Sequence, residues 1–460
     1  MNKIPVIAIF DVGKTNKKLF LFDERYNIVF EKTARFTEIR DEDGDVCENI
    51  ESLRLSIYDS LKEVVAHPDY AIKAVNFSAY GASFVFVDKY GNPITPLYSY
   101  LKAYPANLQT EFYEKYGGET AFTHQTASPV LGSLNSGMQL YRLKKEKPSL
   151  FKELKYALHL PQYVSYLITG KMCSDITSIG CHTNLWDFNK NSYHHWLKEE
   201  NIEEKLAPIA AGDQTYPATF FNQHFKAGIG LHDSSAALIP YLKNFKIPFV
   251  LISTGTWCLS LNPFNKSSLT TTELQNDCLC FLSFEGNPVK GSRLFAGHQH
   301  EEQVKRIAAH FNKNSAQYRN INFDYSIIKN LENLPSIEYD YSNLKESVFA
   351  KRKLSDFSTD IEAYHQLMLD IVKQQFISTS LIMEGDSTKR IFVDGGFSKN
   401  NIYMNLLAIH FKGIEIFAAS MAQASSVGAA LAIHSSWNKI PIPNNIIELK
   451  YFAANLSTSQ

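Results

Sequence analysis

The sequence has 460 residues, 45% of them hydrophobic and 13% aromatic, and a formal net charge of −1. A chain of this length outgrows a single hydrophobic core, so two domains of roughly 200 residues each are expected. The balanced charge leaves no basic surface for nucleic acid, and no run reaches the ~18 uncharged apolar residues of a membrane helix, so neither partner is expected.

The opening MNKIPVIAIFDVG runs from a short apolar stretch straight into a charged glycine loop, without the small-residue cleavage pattern of a signal peptide. The six cysteines (Cys47, Cys173, Cys181, Cys258, Cys278, Cys280) are scattered and lack the spacing of a zinc knuckle or redox dithiol. They read as reduced thiols, and the expected location is cytoplasmic.

In chain order, residues 4 to 10, IPVIAIF, form an apolar β-branched run, the pattern of a strand buried on both faces. The polar loop DVGKTNKK follows, and then KLFLFDE and YNIVFEKT read as two more strands with no helix between. AVNFSAYGASFVFVDKYGNPI at 74 to 94 is strand, glycine turn, strand, and the spacing from about 107 to 170 is helical, closed by Gly170. IPYLKNFKIPF around 240 to 248 is the candidate hinge. Immediately after it, FVLISTGTWCLSLN repeats the opening device of strand, polar glycine loop and strand, an internal echo of residues 4 to 22 that suggests two related domains. The second half continues with a helical stretch near 299 to 311, a polar segment at 312 to 345 and a long helix from about 358 to 384. It ends with strand, double-glycine turn and helix at 390 to 411 and a small-residue helix at 424 to 436. The resulting division is 1–244, 245–445 and a tail at 446–460.

Gly13-Lys14-Thr15 invites a Walker A reading, but position 8 is Ala8 and a strand, not a helix, follows the threonine. A β-turn-β loop can instead cradle phosphate through successive backbone N–H groups. Gly13 allows close approach, Thr15 and Asn16 add polar side chains, and Lys14 or Lys18 adds positive charge. Asp11 beside such a loop is repulsive unless a divalent cation intervenes, directly or through water, and so implies Mg²⁺. Thr254, Gly255 and Thr256 form the second loop of this kind. Gly395 and Gly396, followed by Ser398 and Asn400, end a strand where absent side chains leave room for a base or ribose. In GLHDSSAA, Asp233 stands where a helix begins, so its carboxylate either caps that helix or serves as a base taking a proton from a substrate hydroxyl. The residues alone leave both open.

The motifs FDVGKTNKK, GLHDSSAA, STGTW and DGGFSKN, in that order, resemble the FGGY carbohydrate kinases of the actin, Hsp70 and sugar kinase superfamily, over residues 5 to 435. HDSSAA followed by ISTGTWCL, together with AYGASFVFVD, resembles the rhamnulokinase and fuculokinase branch. The resemblance implies an α/β fold of two ribonuclease H-like, actin-like ATPase domains around a central cleft. It implies ATP and Mg²⁺ as cofactors and a ketose such as L-rhamnulose or L-fuculose as substrate, with Asp233 as catalytic base. Gly81, Ala82, His232, Asp233 and Ser234 would line the sugar site, Thr256 would touch ATP phosphates and Gly396 would face the nucleotide. Two rivals are a sugar-binding sensor of the same fold without catalysis and a kinase of a non-sugar substrate such as a carboxylate. Faces of the second-half helices could build a homodimer.

Departures from the branch narrow what it implies. Tyr100-Leu101-Lys102-Ala103-Tyr104 stands where the branch has an aromatic-Arg-Asp-x-Arg sequence, Gln423 occupies a commonly acidic position, and the 291–303 stretch with Arg293, His298, His300 and Glu301 does not align. The HQH triplet reads as a polar loop or helix start rather than a metal site, because no third ligand stands at a standard spacing.

Overall fold

The computed structural model describes residues 3–14, 16–35, 37–331, 344–383, 385, 387–421 and 423–453. The chain divides into two compact units. One is Met1–Asn244 with Cys280–Pro288 and Gln423–Ile446; the other is Phe245–Leu279 with Val289–Ala422 and Ile447–Gln460. Segments 280–288 and 423–446, which the sequence boundaries group with the second half, fall in the first unit.

Each unit is built on one sheet. In the first, the order is Thr215–Phe220, Gln223–Gly228, Tyr70–Ala79, Ile4–Val12, Asn16–Asp23, Ile28–Arg35, with Leu231–His232 also paired to Tyr70–Ala79. Ile4–Val12 is antiparallel to Asn16–Asp23 and parallel to Tyr70–Ala79. Val6 to Ile9 are fully buried, as expected of a central strand covered on both faces. In the second unit the order is Pro288–Leu294, from Val289 onward, then Cys258–Asn262, Phe249–Thr254, Arg390–Gly395, Glu415–Ser420, Glu448–Phe452. Here Phe249–Thr254 is antiparallel to Cys258–Asn262 and parallel to Arg390–Gly395. The echo noticed in sequence is therefore topological: each unit opens with an apolar strand, a tight glycine loop and an antiparallel return, and a later strand joins the opposite side in parallel. This is the α/β, actin-like architecture implied by the motifs.

Helices cover the sheets. Ile50–Ala66 is capped by Asn49, whose side chain accepts the N–H groups of Glu51 and Ser52, and it lays Leu53, Ile57, Leu61 and Val64 on the first sheet. A second, aromatic core in the same unit gathers Phe84, Phe112, Tyr141 and Trp196. The stretch from 107 to 170 also contains a strand, Tyr156–His159, paired with Phe84–Val87. The long helix of the second unit, Asp360–Leu381, starts from Thr359, which accepts the N–H of Glu362.

Three local readings differ from the structure. The Asp233–Asn244 helix continues through Pro240, so the first half of the candidate hinge is helical; Pro240 lacks the N–H a helix interior uses, yet its own carbonyl still accepts from the Asn244 side chain. Glu448–Phe452 is an edge strand antiparallel to Glu415–Ser420, where sequence suggests a tail. The polar segment 312–345 includes a helix, Tyr325–Leu331, and residues 332–343 lie outside those described. Among the described residues no helix is long and apolar enough to cross a membrane, and all six cysteines are buried and outside any disulfide.

Candidate active site

In the first unit the strand Ile4–Val12 ends in a tight hairpin closed by the Gly13 N–H donating to the Asn16 carbonyl, 2.9 Å. A Cβ on Gly13 would stand 3.3 Å from that carbonyl, so glycine keeps the loop tight. Thr15 lies outside the described residues. Asp11, facing Lys18 across the ladder, does not stand alone. Its Oδ2 accepts the hydroxyls of Ser425 at 2.6 Å and Ser426 at 2.9 Å, from the first turn of the helix Ala424–Ala432. Burial pushes the Asp11 carboxyl above its ordinary range, the Ser425 hydroxyl opposes this, and the charge of Asp233 adds to it. Lys14 pairs with the buried carboxylate of Glu48 and lies 4.9 Å from the centre of the Tyr100 ring. Lys18 reaches Glu31 at 3.8 Å.

Leu231 and His232 pair with Ser78 and Ala79, which sets them beside the turn Tyr80-Gly81-Ala82. There, Ala82 holds a left-handed φ of 64°, a conformation L-residues adopt at a cost of roughly 1–2 kcal/mol. A Cβ on Gly81 would come within 2.7 Å of His232 Nε2, so the absent side chain is what admits the imidazole. His232 is buried, its ring stacks on Phe281 at 6.0 Å, and its N–H donates to the Thr177 hydroxyl at 2.9 Å. That hydroxyl in turn donates to Asp175, which caps the short helix Ile176–Ile179. Burial pushes the His232 imidazole pKa down, against the pull of Asp233.

Asp233 begins the helix Asp233–Asn244. Its Oδ1 accepts the Ser234 N–H at 2.6 Å and the Ser234 hydroxyl at 3.3 Å and lies 3.3 Å from His232 Nε2. Those N–H partners are not the second or third helical residues that a capping side chain normally serves. Among the described residues no hydrogen bond reaches Oδ2, and the side chain is 36% exposed.

Helix Ala424–Ala432 is clamped onto the Asp233 helix. A Cβ on Gly428 would sit 1.8 Å from the Ala236 carbonyl oxygen, and the Asn76 amide donates to the Ala429 carbonyl at 2.7 Å. One small-residue helix therefore sets two carboxylates: it holds Asp11 through Ser425 and Ser426, and it packs against the helix that Asp233 begins. Gln423, at the start of this helix, takes a left-handed φ of 60°.

The second unit repeats the loop, with the Gly255 N–H donating to the Trp257 carbonyl at 2.9 Å. Thr254 is used as a strut: its hydroxyl donates to the Asp394 carbonyl at 2.6 Å and accepts the Phe397 N–H at 2.9 Å. The two glycines that follow differ. Gly395 has φ 89° and a Cβ there would meet the Thr254 carbonyl at 2.0 Å, whereas a Cβ on Gly396 would meet nothing within 4 Å. Ser398 donates to the Gly395 carbonyl, and Asn400 caps the helix Asn401–His410 while donating to the Tyr364 hydroxyl. Thr254, Gly255, Thr256, Gly396 and Asn400 line one cavity of ≈ 780 Å³. Lys399, from the DGGFSKN motif, also lines it, as do Tyr318, Arg319 and Tyr364, which carry no sequence signal because they come from separate segments joined only in the fold.

The 291–303 stretch is strand followed by the helix Ala296–His310. Arg293 forms a double hydrogen bond with Asp277, at 3.0 and 2.7 Å, and lies over Trp257. His298 stacks on Phe295, while His300 bonds the Tyr364 hydroxyl at 3.1 Å and is pushed down to about 4 by burial. Two histidines two residues apart on a helix point to different sides and bind no common ion.

Residues 6–234 match the N-terminal domain of the FGGY family of carbohydrate kinases, and residues 246–440 match the carbohydrate kinase FGGY C-terminal domain. A rhamnulokinase from Halalkalibacterium halodurans is 24% identical over 275 residues, 54% of this chain and 54% of that protein, so the match spans about half the length of this curated relative. In fold, a carbohydrate kinase from Novosphingobium aromaticivorans superposes with a TM-score of 0.80 at 20% identity, covering 98% of this chain and 95% of that one. A ligand-bound xylulose kinase from Lactobacillus acidophilus superposes with a TM-score of 0.77 at 15% identity, covering 98% and 94%. With both domains matched end to end, and the paired loops, the double glycine and Asp233 standing in them in order, this chain belongs to the FGGY family of carbohydrate kinases.

Proposed function

We propose that this protein transfers the γ-phosphate of ATP to a hydroxyl of a sugar, a ketose of the L-rhamnulose or L-fuculose kind, with Asp233 as general base, and that it works in the cytoplasm. The observation that carries the base role is the state of Asp233. One carboxylate oxygen is tied by Ser234 and neighbours His232, while the other meets no donor among the described residues and is within reach of solvent. A capping carboxylate accepts from the second or third helical N–H, as Asp175 does from Thr177 and Ser178, whereas Asp233, among the described residues, accepts only from Ser234. A positioned base of this kind contributes roughly 10²- to 10⁴-fold to rate.

The cavity of the second unit is of the size that takes a nucleoside. Gly396 is the point where the backbone lies open to it, and Thr256, next to the Gly255 N–H that closes the loop, supplies a loop N–H group for phosphate. In the first unit the Gly13 to Asn16 hairpin, with Lys18, is the matching phosphate loop. Asp11 and Asp233 are hard oxygen donors close enough for each charge to oppose the other, which is the donor set a divalent cation fits. Asp11 would hold Mg²⁺ there, directly or through water; bound, the cation neutralises charge on the transferring phosphate. Gly81, Ala82 and Ser234 frame the sugar beside His232, whose burial keeps the imidazole neutral so that it orients a hydroxyl without adding charge.

The test is ADP release across a panel of ketoses, aldoses and polyols, with nucleotide binding measured in parallel. Turnover with at least one sugar is expected, and Asp233→Asn should abolish nearly all of it while ATP binding persists. A fully active Asp233→Asn variant would remove the base assignment, and an ATP-binding protein that phosphorylates no sugar would remove the kinase reading.

A further inference from the structure

The short hairpin Glu38–Arg40 with Val46–Glu48 ends on a carboxylate that the mechanism above does not use. Glu48 is 3% exposed; one of its oxygens pairs with Lys14, and the other, Oε2, is buried without a hydrogen-bond partner among the described residues. Around it the Tyr80 hydroxyl and the Ser83 hydroxyl are also buried and unpartnered. The Tyr80 hydroxyl lies close enough to the Ser83 hydroxyl and to Glu48 for both to act on it as hydrogen-bonding neighbours, although among the described residues no pair reaches full hydrogen-bond geometry. The Lys14 ammonium stands 5.6 Å from the Tyr80 ring centre and 4.9 Å from that of Tyr100, and the two rings are 5.8 Å apart. Tyr80 precedes Gly81, the glycine against which His232 packs, and Tyr100 feels the charges of both Glu48 and Asp233. Buried polar atoms are nearly always paired, so a cluster of unpaired ones beside a reactive carboxylate marks where a polar ligand completes the bonding.

The same region explains the departure at Tyr100 to Tyr104. Tyr100 forms one wall of the cluster. Lys102, 8% exposed in its side chain, ties down the hairpin tip through Asp41 and Asp43 at 2.6 Å each and Asp45 at 3.4 Å. Asp41 accepts the N–H groups of Asp43 and Asp45 as well, so the hairpin reaches Glu48 as a fixed arm. The segment that loses the charged pair of related sequences thus carries the residues that build and brace the Glu48 wall.

We propose that Glu48, with the Tyr80 and Ser83 hydroxyls, is the specificity-determining wall of the sugar site, accepting a hydroxyl of a neutral polyhydroxy substrate and turning away sugar acids. This rests on the kinase reading for the identity of the site, and on the cluster itself for the chemistry. A carboxylate with a bare oxygen accepts a hydroxyl proton and repels a second carboxylate. Lys14, the ammonium that could attract a sugar acid, is already paired with Glu48, and the other charges facing this cluster are Asp41 and Lys102, themselves paired, on the hairpin side and Asp233 on the side of Tyr100.

The experiment compares wild type with Glu48→Gln, Tyr80→Phe and Ser83→Ala, the last two removing a hydroxyl with little change in shape. For the best neutral sugar and its aldonic acid counterpart, KM and kcat are measured by ADP release, and Kd by calorimetry. Glu48→Gln should raise KM and Kd for the neutral sugar at least tenfold with KM for ATP within twofold. It should also lower the preference for neutral sugar over acid at least tenfold, because Lys14 is released. Each hydroxyl deletion should raise KM for sugar several-fold. Unchanged sugar KM and Kd in Glu48→Gln, or in both hydroxyl deletions if Glu48→Gln does not fold, overturns the proposal and leaves the kinase reading standing. Sugar binding that depends on Glu48 without any turnover does the reverse. A wild type that binds the acid more tightly than the neutral sugar overturns the proposal outright.

Discussion

Gly428→Ala tests whether the small-residue helix sets the site. The added Cβ would lie 1.8 Å from the Ala236 carbonyl oxygen, with the Ala236 carbonyl carbon at 2.5 Å. Backbone cannot yield as a side chain tip can, so the helices must part by roughly an ångström or more; overpacking of this sort costs about 1–3 kcal/mol, and a radial gap of 0.5–1 Å forfeits about a quarter to a half of each contact opened. For a unit of this size about 2 kcal/mol lowers the melting midpoint by about 4–8 °C. The displacement also acts on the two residues that bond Asp11, Ser425 and Ser426, which lie one turn back on the same helix. A misplacement near 1 Å can cost about 10²-fold in rate. Thermal unfolding followed by circular dichroism, with kcat measured well below the midpoint, separates the two effects. Both a lower midpoint and a lower kcat are expected. Wild-type values for both would refute the claim that close helix contact positions Asp11 and Asp233.

Gly81→Ala should act on the sugar side alone: the new Cβ meets His232 Nε2 at 2.7 Å and Cδ2 at 2.8 Å, so kcat/KM for sugar should fall about 10²-fold with KM for ATP unchanged, and an unaltered sugar KM and kcat would contradict it. Asp175 is fully buried, and burial pushes its carboxyl up to about 7 although Thr177 and Ser178 donate to it. A carboxyl raised in the folded state gives stability that is fully present below its unfolded value near 4 and lost as pH rises through 7. Asp175→Asn, which caps as well and never ionises, should therefore gain on wild type by about 2–4 kcal/mol between pH 5 and pH 8; parallel melting profiles across that range would sink the assignment.

What could be read from sequence was local. The strand, glycine loop and strand units at 4 to 22 and 249 to 262 carry their pattern in a dozen neighbouring residues, and the structure closes each with a glycine N–H donating across the turn, Gly13 to Asn16 and, one residue tighter, Gly255 to Trp257. The helix at 424 was legible as a close-packing surface because Ser, Gly and Ala leave backbone bare. Its partner was not legible: Ser425 is 414 positions from the aspartate it bonds. Glu48 was missed for a related reason, since a lone glutamate in an acidic, turn-rich stretch looks like solvated surface until the fold buries it. The helical run of 107 to 170 hid the strand Tyr156–His159, whose four residues are too few to show a period.

The two halves also show why equivalent motifs need not do equivalent work. Asp11 and Ser253 stand near the ends of corresponding strands, one charged and one neutral, and the residues that answer them differ in kind. In the first unit a carboxylate is held by two side-chain hydroxyls from a distant helix, an arrangement that fixes its direction while leaving its charge to be met by a ligand. In the second, the Thr254 hydroxyl is consumed between the Asp394 carbonyl and the Phe397 N–H, so it welds the loop to the double-glycine turn and presents Gly396 bare. One loop is built to place charge and the other to clear space. That division is what a phosphoryl transfer asks for, because its barrier falls mainly through positioning and neutralisation of charge, not through covalent participation of the protein.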